Sequence, residues 1–268
     1  MTGVTDKLAE LLAPLREAPQ RSAVLTDLDG TLAPIAPRPE DAGVPEHARE
    51  LLAAIAARYA LVGVISGRRA VDARRMVGLD ELAYCGNHGF ELLLPRESEP
   101  RPDPSLDGHD GDAEAFVAQI PPGEIKDLGI RVEDKGAIVA LHWRGSPDEG
   151  EAEAWASELA NEAERKGLVA HRGRMVLEIR PDVSIDKGRA VTSLLDGGEI
   201  GAALYAGDDR TDLDAFRALG ELHEGGRLAD VARIAIASDE APPEVAAGAD
   251  LVVDGPEGFL EVLEVLAR

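Results

Sequence analysis

The sequence predicts an α/β protein: a parallel sheet covered by helices on both faces, interrupted by an inserted α+β module. Two observations carry this. Apolar runs of strand length alternate with helix-length amphipathic segments early in the chain and again after Asp186. Between them the pattern becomes hairpins around one helix, entered through a proline-rich stretch.

The elements follow in order. Thr5–Arg16 has amphipathic helical spacing, with Leu8, Leu11, Leu12 and Leu15 on one side. Strand-like Ala23–Thr26 precedes a helix at Pro45–Arg58, where proline suits a first turn. Leu61–Ile65 reads as a strand, Ala70–Val77 as a helix and Leu82–Cys85 as a strand. Residues 95–112 carry Pro95, Pro100, Pro102 and Pro104 and read as a linker or exposed loop. Arg131–Glu133 and Ala137–Trp143 form a hairpin turning at Asp134-Lys135-Gly136. Glu151–Lys166 is helical, and Leu168–Arg172 with Arg174–Arg180 forms a second hairpin turning at Gly173. Alternation then returns: helix Lys187–Leu195, strand Ala202–Ala206, helix Asp212–Leu219, strands Ile234–Ala237 and Leu251–Val253, and helix Pro256–Ala267. The expected division is a core of residues 1–110 and 182–268 with an inserted domain of residues 111–181.

Composition narrows the function. With 28 basic and 51 acidic side chains the net charge is −23, which argues against nucleic-acid or anionic-membrane binding. An anionic substrate would need local cations or backbone amides to override that field. Cys85 is the only cysteine, so no internal disulfide forms; it reads as a small buried hydrophobe. The Thr5–Arg16 segment lacks the basic-then-apolar form of a signal peptide, and no apolar run approaches the roughly 18 residues that span a bilayer. A soluble cytoplasmic protein is expected.

Four clusters carry chemistry, each at the mouth of a predicted strand or opening the helix that follows. Asp27-Leu28-Asp29-Gly30-Thr31 places two carboxylates i, i+2 at a strand end, where they can hold a divalent metal and one can attack an electrophile. The alternative is an exposed acidic turn. Ser66-Gly67-Arg68 offers a hydroxyl and amides to phosphate oxygens, or simply a helix N-cap. Lys187 sits in a first helical turn, unfavourably against the helix dipole, where it could neutralise a nucleophile and a phosphate or be a surface lysine. Gly207-Asp208-Asp209-Arg210-Thr211-Asp212 crowds acids that repel one another without a cation. Asp208, nearest the strand end, is the better metal ligand; Asp212 reads as a cap or a supporting acid, and the whole could be a solvated loop. Oxygen donors with no Cys/His cluster favour Mg2+ over zinc.

In this order, the four clusters resemble the motifs of the haloacid dehalogenase-like (HAD) phosphatase superfamily. The resemblance covers nearly the whole chain. It implies a Rossmann-like core and, between the second and third motifs, an inserted type-2 cap. A finer resemblance lies in Gly86-Asn87-His88-Gly89-Phe90-Glu91, Val132-Glu133-Asp134-Lys135, Leu141-His142-Trp143-Arg144, Leu177-Glu178-Ile179-Arg180-Pro181 and again Gly207-Asp208-Asp209-Arg210-Thr211-Asp212. These look like marks of trehalose-6-phosphate phosphatases. The resemblance implies that Asp27 attacks phosphorus and that Asp29 serves as acid and then base. It implies that Lys187 neutralises charge and that Asp27, Asp29 (through its carbonyl), Asp208 and Asp209 surround Mg2+. Phosphate contacts would fall to Thr31, Ser66, Gly67 and Arg68, with His88 shaping the site. Sugar hydroxyls would meet Glu133, Lys135, Glu178 and Arg144. The implied partners are a small-molecule sugar phosphate and a trehalose-phosphate synthase, with the chain itself a monomer. Asn87 and Asp186 depart from the pattern, and both bear on the sugar rather than on the phosphoryl chemistry. Sucrose-, glucosylglycerate- and mannosylglycerate-phosphate remain alternative substrates, and a phosphotransferase or a sugar-phosphate sensor are alternative classes. Trp143 reads as core of the inserted sheet; His109 and His171 have no ligand-like spacing.

Overall fold

The computed structural model describes residues 2–35, 43–109, 111–173, 175–238 and 241–268. They form two compact units, residues 1–101 with 185–268, and residues 102–184.

The first unit opens with α1 (Thr2–Glu17) and β1 (Ser22–Thr26). Then come α2 (Glu46–Ala56), β2 (Leu61–Ile65), α3 (Ala70–Val77), β3 (Ala83–Gly86) and β4 (Glu91–Leu93). The chain leaves through β5 (Arg101–Pro102). The second unit holds α4 (Asp112–Val117), α5 (Pro122–Asp127), β6 (Arg131–Asp134), β7 (Val139–His142), α6 (Glu149–Arg165), β8 (Leu168–Gly173) and β9 (Val176–Pro181). The chain returns through α7 (Lys187–Leu195), β10 (Ala202–Gly207), α8 (Asp212–Glu224) and β11 (Asp230–Ala237). It ends with α9 (Pro243–Gly248), β12 (Leu251–Asp254) and α10 (Gly255–Ala267).

The large sheet has the order β12-β11-β10-β1-β2-β3-β4-β5. It is parallel from β12 to β3, and β4 turns antiparallel. Period-2 alternation divides its side chains. Val24, Val62, Val64 and Leu204 pack with α1, α2, α3 and α10 on one face. Ala23, Leu25, Ala203 and Tyr205 pack with α7, α8 and α9 on the other. Burial on both faces explains why these strands read as continuous apolar runs. Leu8, Leu12 and Leu15 of α1 are buried in the first layer, as their helical spacing expects.

In the second unit the antiparallel order is β6-β7-β9-β8. The two expected hairpins therefore join through their second strands. Val139, Leu141, Leu177 and Ile179 pack on α4 and α6, with Trp143 in the same core. The opposite face carries Glu133, Ala140 and Glu178 in register across β6, β7 and β9. Arg174, expected to open the second strand of the later hairpin, lies outside the described residues.

The short elements α4, α5, α9 and β4 were not expected from the pattern. At three to six residues they are too brief to show a helical or strand period. β11 also begins earlier than the apolar run, at Asp230. Its first residues pair only with β10, since β12 starts opposite Ile234.

Candidate active site

The neighbouring parallel strands β10, β1 and β2 end on the same edge of the sheet. Asp208, Asp27 and Ser66 are the residues just past those ends. The Asp27 amide still bonds to the Ala206 carbonyl at 2.8 Å, so the strand holds it in place. After it the chain reverses: the amides of Leu32 and Ala33 both bond to the Leu28 carbonyl. Gly30 takes φ +89° there, and a Cβ on it would stand 2.2 Å from the Asp208 carboxylate. Only glycine meets both conditions.

Asp27, Lys187, Asp208 and Asp212 are buried together. Lys187 Nζ donates to Asp27 Oδ1 at 2.6 Å and to Asp212 Oδ1 at 2.7 Å. Lys187 is therefore a bridging charge, not a surface lysine. Burial works to lower its pKa, but Asp212 and Asp27 outweigh this and raise it. Burial raises the Asp27 pKa well above the usual carboxylate range; Lys187 opposes the shift while Asp212 and Asp208 add to it. Burial, reinforced by Asp212, pushes Asp208 up to about 6.

Carboxylate oxygens of Asp27, Asp208 and Asp212 lie within 4.8 Å of one another. Three buried carboxylates face one ammonium, and that excess negative charge suits a hard divalent cation. Asp212 is already saturated by protein donors: Lys187, the Tyr205 hydroxyl at 2.7 Å, and the amides of Asp208 and Asp209 at 3.0 and 2.9 Å. That leaves Asp27 and Asp208 as the side chains to hold a cation. Asp209, expected beside them, is instead exposed, and its carboxylate accepts from the Arg210 amide.

The remaining expected residues divide. Thr31 is buried and donates to Asp208 Oδ1 at 3.1 Å, so here it supports an acid. Ser66 is not a helix N-cap: its Oγ accepts from the Arg68 amide at 3.1 Å, closing a local turn, and α3 begins only at Ala70. Arg68 grips Asp29 with both prongs, Nε to Oδ2 and Nη2 to Oδ1, each at 2.7 Å. The Asp29 side chain is partly exposed, unlike the buried trio. The His88 ring packs against Gly67, and its amide bonds to the Ser66 carbonyl at 2.9 Å. Asn87 and His88 both hold left-handed backbone, with φ of 52° and 59°. Such paired left-handed residues are costly and are retained where the surrounding structure demands them. Asp186 caps α7, accepting from the Arg189 amide at 2.8 Å, which accounts for its presence before Lys187.

In the second unit, Lys135 and Glu178 pair at 2.8 Å, both side chains largely buried. His142 bonds to Glu133 Oε2 at 2.9 Å, and that bond, against the effect of burial, pulls the Glu133 pKa down to about 2. The ionised Glu133 makes His142 the donor. Arg144 is exposed beyond the end of β7.

Sequence reasoning missed three supporting residues. Tyr205 reads as one more apolar strand residue until its hydroxyl is placed on Asp212. Glu91 accepts from the Ala70 amide at 2.6 Å and caps α3 from a neighbouring strand. His142 stands in a motif already noted, and the alternation of β7 was the available sign that it shares a face with Glu133.

The sheet that carries this site has the haloacid dehalogenase-like fold. A solved haloacid dehalogenase-like hydrolase from Bacteroides thetaiotaomicron shares that fold, with a TM-score of 0.61 at 19% identity, covering 91% of this chain and 98% of the other. Within that class the trehalose-phosphatase family model matches residues 25–241, and the chain belongs to this family. A trehalose-phosphate phosphatase of Mycobacterium tuberculosis is 35% identical over 214 residues, covering 75% of this chain and 52% of that protein. A protein of the same genus described as an uncharacterized glycosyl hydrolase is 40% identical over 207 residues, 75% of this chain but 15% of its own length. The chain thus spans about half of the one relative and a small part of the other. The C-terminal domain of a Candida albicans trehalose-6-phosphate phosphatase superposes with a TM-score of 0.71 at 23% identity, covering 97% of this chain and 96% of that one. Among the described residues, no helix is long and apolar enough to cross a membrane.

Proposed function

We propose that this chain hydrolyses trehalose 6-phosphate to trehalose and phosphate through an aspartyl-phosphate on Asp27. The observation that carries the reading is the buried Lys187 bridge between Asp27 and Asp212, with Asp208 alongside. Lys187 keeps the attacking Asp27 oxygen partly neutralised, so that it can approach a phosphate dianion. Mg2+ held by Asp27 and Asp208 would neutralise further charge on the transferred group. Asp29 protonates the departing sugar oxygen and then takes a proton from the water that cleaves the aspartyl-phosphate. Each Asp29 carboxyl oxygen accepts one Arg68 donor, which fixes the direction of the carboxyl for these proton transfers and leaves further acceptor positions open. Ser66 would steady a phosphate oxygen, and Thr31 would do so once its hydroxyl turns from Asp208.

Glu133, Lys135 and Glu178 recognise the sugar in this proposal. Glu133 and Glu178 stand on the polar face of the second unit, in register either side of Ala140. Ionised carboxylates with one oxygen bonded inside the protein still present the other to sugar hydroxyls. A trehalose-phosphate synthase would supply the substrate, and the chain would act as a monomer.

The test is phosphate release from a panel of sugar phosphates with Mg2+, alongside Asp27→Asn. Trehalose 6-phosphate should be turned over fastest, and the variant should fold but lose turnover. Substantial activity in Asp27→Asn, or faster turnover of another sugar phosphate, would overturn the nucleophile or the substrate respectively.

A further inference from the structure

Asp212 never needs to touch substrate, yet the site is built around it. Its side chain is fully buried. A carboxylate offers about four acceptor positions, and four donors fill them: Lys187, the amides of Asp208 and Asp209, and the Tyr205 hydroxyl. Three of these donors follow from the charge and backbone of the site itself. The fourth is supplied by a strand residue that could have been any apolar side chain.

Two further observations show that the Tyr205 contact is built. The Tyr205 ring meets the Phe216 ring edge-on, with centroids 6.0 Å apart at 82°. Phe216 lies on α8, the helix that Asp212 opens, so ring and carboxylate are referenced to the same element. Gly207 lies between them in sequence, and a Cβ there would stand 2.2 Å from the Asp212 carboxyl carbon. The strand end is stripped of side chain where Asp212 passes.

We propose that Tyr205 is a positioning residue for the attacking carboxylate: its hydroxyl fixes the Asp212 oxygen that shares Lys187 with Asp27. The inference rests on the phosphatase reading above. Asp212 Oδ1 receives two donors, and their separation sets the direction from which Lys187 approaches. With the hydroxyl gone, Oδ1 has one donor, and the carboxylate is free to turn towards Lys187. That strengthens the Lys187–Asp212 pair at the expense of Lys187–Asp27. The same rotation moves Oδ2 against the two amides that shape the Asp208 turn. Both effects fall on the chemical step, not on sugar recognition.

The experiment compares Tyr205→Phe with Tyr84→Phe in the full chain. Tyr84 is another tyrosine with a fully buried side chain in the same sheet, and its hydroxyl donates to the Leu79 carbonyl at 2.6 Å rather than to an acid of the site. Steady-state kinetics with Mg2+ are run on trehalose 6-phosphate and on a small aryl phosphate, per folded molecule and below both melting transitions. Tyr205→Phe should lose about tenfold in kcat on both substrates with KM held within about twofold, since small misplacements of reacting groups act on turnover. Tyr84→Phe should keep kcat within about twofold while losing comparable thermal stability. A kcat in Tyr205→Phe within twofold of the parent, an equal kcat loss in both variants, or a loss confined to KM would overturn the proposal. Should Tyr205→Phe not accumulate as folded protein, Phe216→Leu takes its place; a kcat loss of about threefold is expected, and full kcat overturns. A parent chain that releases phosphate from no ester would remove the phosphatase reading and this inference with it, an outcome distinct from an active parent with an indifferent variant.

Discussion

Replacing Lys187 with methionine tests the central bridge most directly. Methionine approximates the length of the lysine stem, so the change removes a charge more than a volume. The ammonium is nearly inaccessible and lies 2.6 and 2.7 Å from carboxylates that are equally buried. At an effective dielectric near 20, each attraction at about 4 Å is worth roughly 4 kcal/mol, and closer contact does not lower it. Relief of the ammonium's desolvation offsets part of the two attractions, and breaking a buried pair typically costs about 3–5 kcal/mol. The expected loss at pH 8 is therefore about 3–5 kcal/mol by urea unfolding of metal-free protein. The pH dependence gives the sharper check. The folded-state pKa of Asp27 is already raised by burial, with Lys187 holding it down. Without Lys187 it rises further, so folded Asp27 takes up a proton at a pH where unfolded aspartate does not. Proton uptake by the native state stabilises it as pH falls. The deficit should shrink between pH 8 and pH 5. A deficit below about 1 kcal/mol, or one of equal size at both pH values, would refute the reasoning.

Three further outcomes are expected. Asp208 titrates at about 6 in the fold, above unfolded aspartate, so metal-free protein should melt at a lower temperature at pH 8 than at pH 5; millimolar Mg2+ should recover the difference at pH 8, and a flat or rising melting curve would count against the buried acidic trio. Arg68→Ala should cost about 1 kcal/mol or less, because both partners of the Arg68–Asp29 pair are partly exposed, yet lower kcat about tenfold through loss of Asp29 orientation; unchanged kcat would show that the clamp is idle. His142→Leu should raise KM for the sugar phosphate several-fold and leave an aryl phosphate unaffected, while His142→Gln, which keeps a donor, should retain much of the affinity. Glu133 is held down to about 2 mainly by His142, so that bond stabilises the fold above the unfolded pKa and is lost as pH falls through about 2; parent and variant should converge in stability towards pH 2, and equal KM shifts on both esters would argue against a sugar-facing role.

The core elements were legible because buried parallel strands need long apolar runs and their helices need one apolar face. Leu61–Ile65, Ala70–Val77 and Lys187–Leu195 begin and end where the sequence puts them. Chemistry at strand mouths was legible for the same reason: once β1, β2 and β10 are read, Asp27, Ser66 and Asp208 fall at one edge. Residue duties were less legible. Asp209 and Asp208 are adjacent and chemically identical, yet one is exposed and the other buried, because the turn after β10 points only one of them inward. Ser66 resembled a helix cap because serine after a strand and before a helix is a common N-cap, but its Oγ bonds two residues on, to the Arg68 amide, and Arg69 precedes the first helical residue.

The sequence alone determined which residue types were available and in what order: two acids after the first strand, a serine after the second, a lysine opening a helix and acids after the fourth parallel strand. Local propensity and period suffice for that, since they depend on neighbours in the chain. Only the tertiary structure decided which acid Lys187 would share, that Arg68 would hold Asp29, that Thr31 would serve Asp208, and that a strand tyrosine would complete Asp212. Those contacts join residues 25 to 177 positions apart as well as close neighbours. Their strength comes from burial, where an unpaired polar group is costly, and burial exists only once both faces of the sheet are covered.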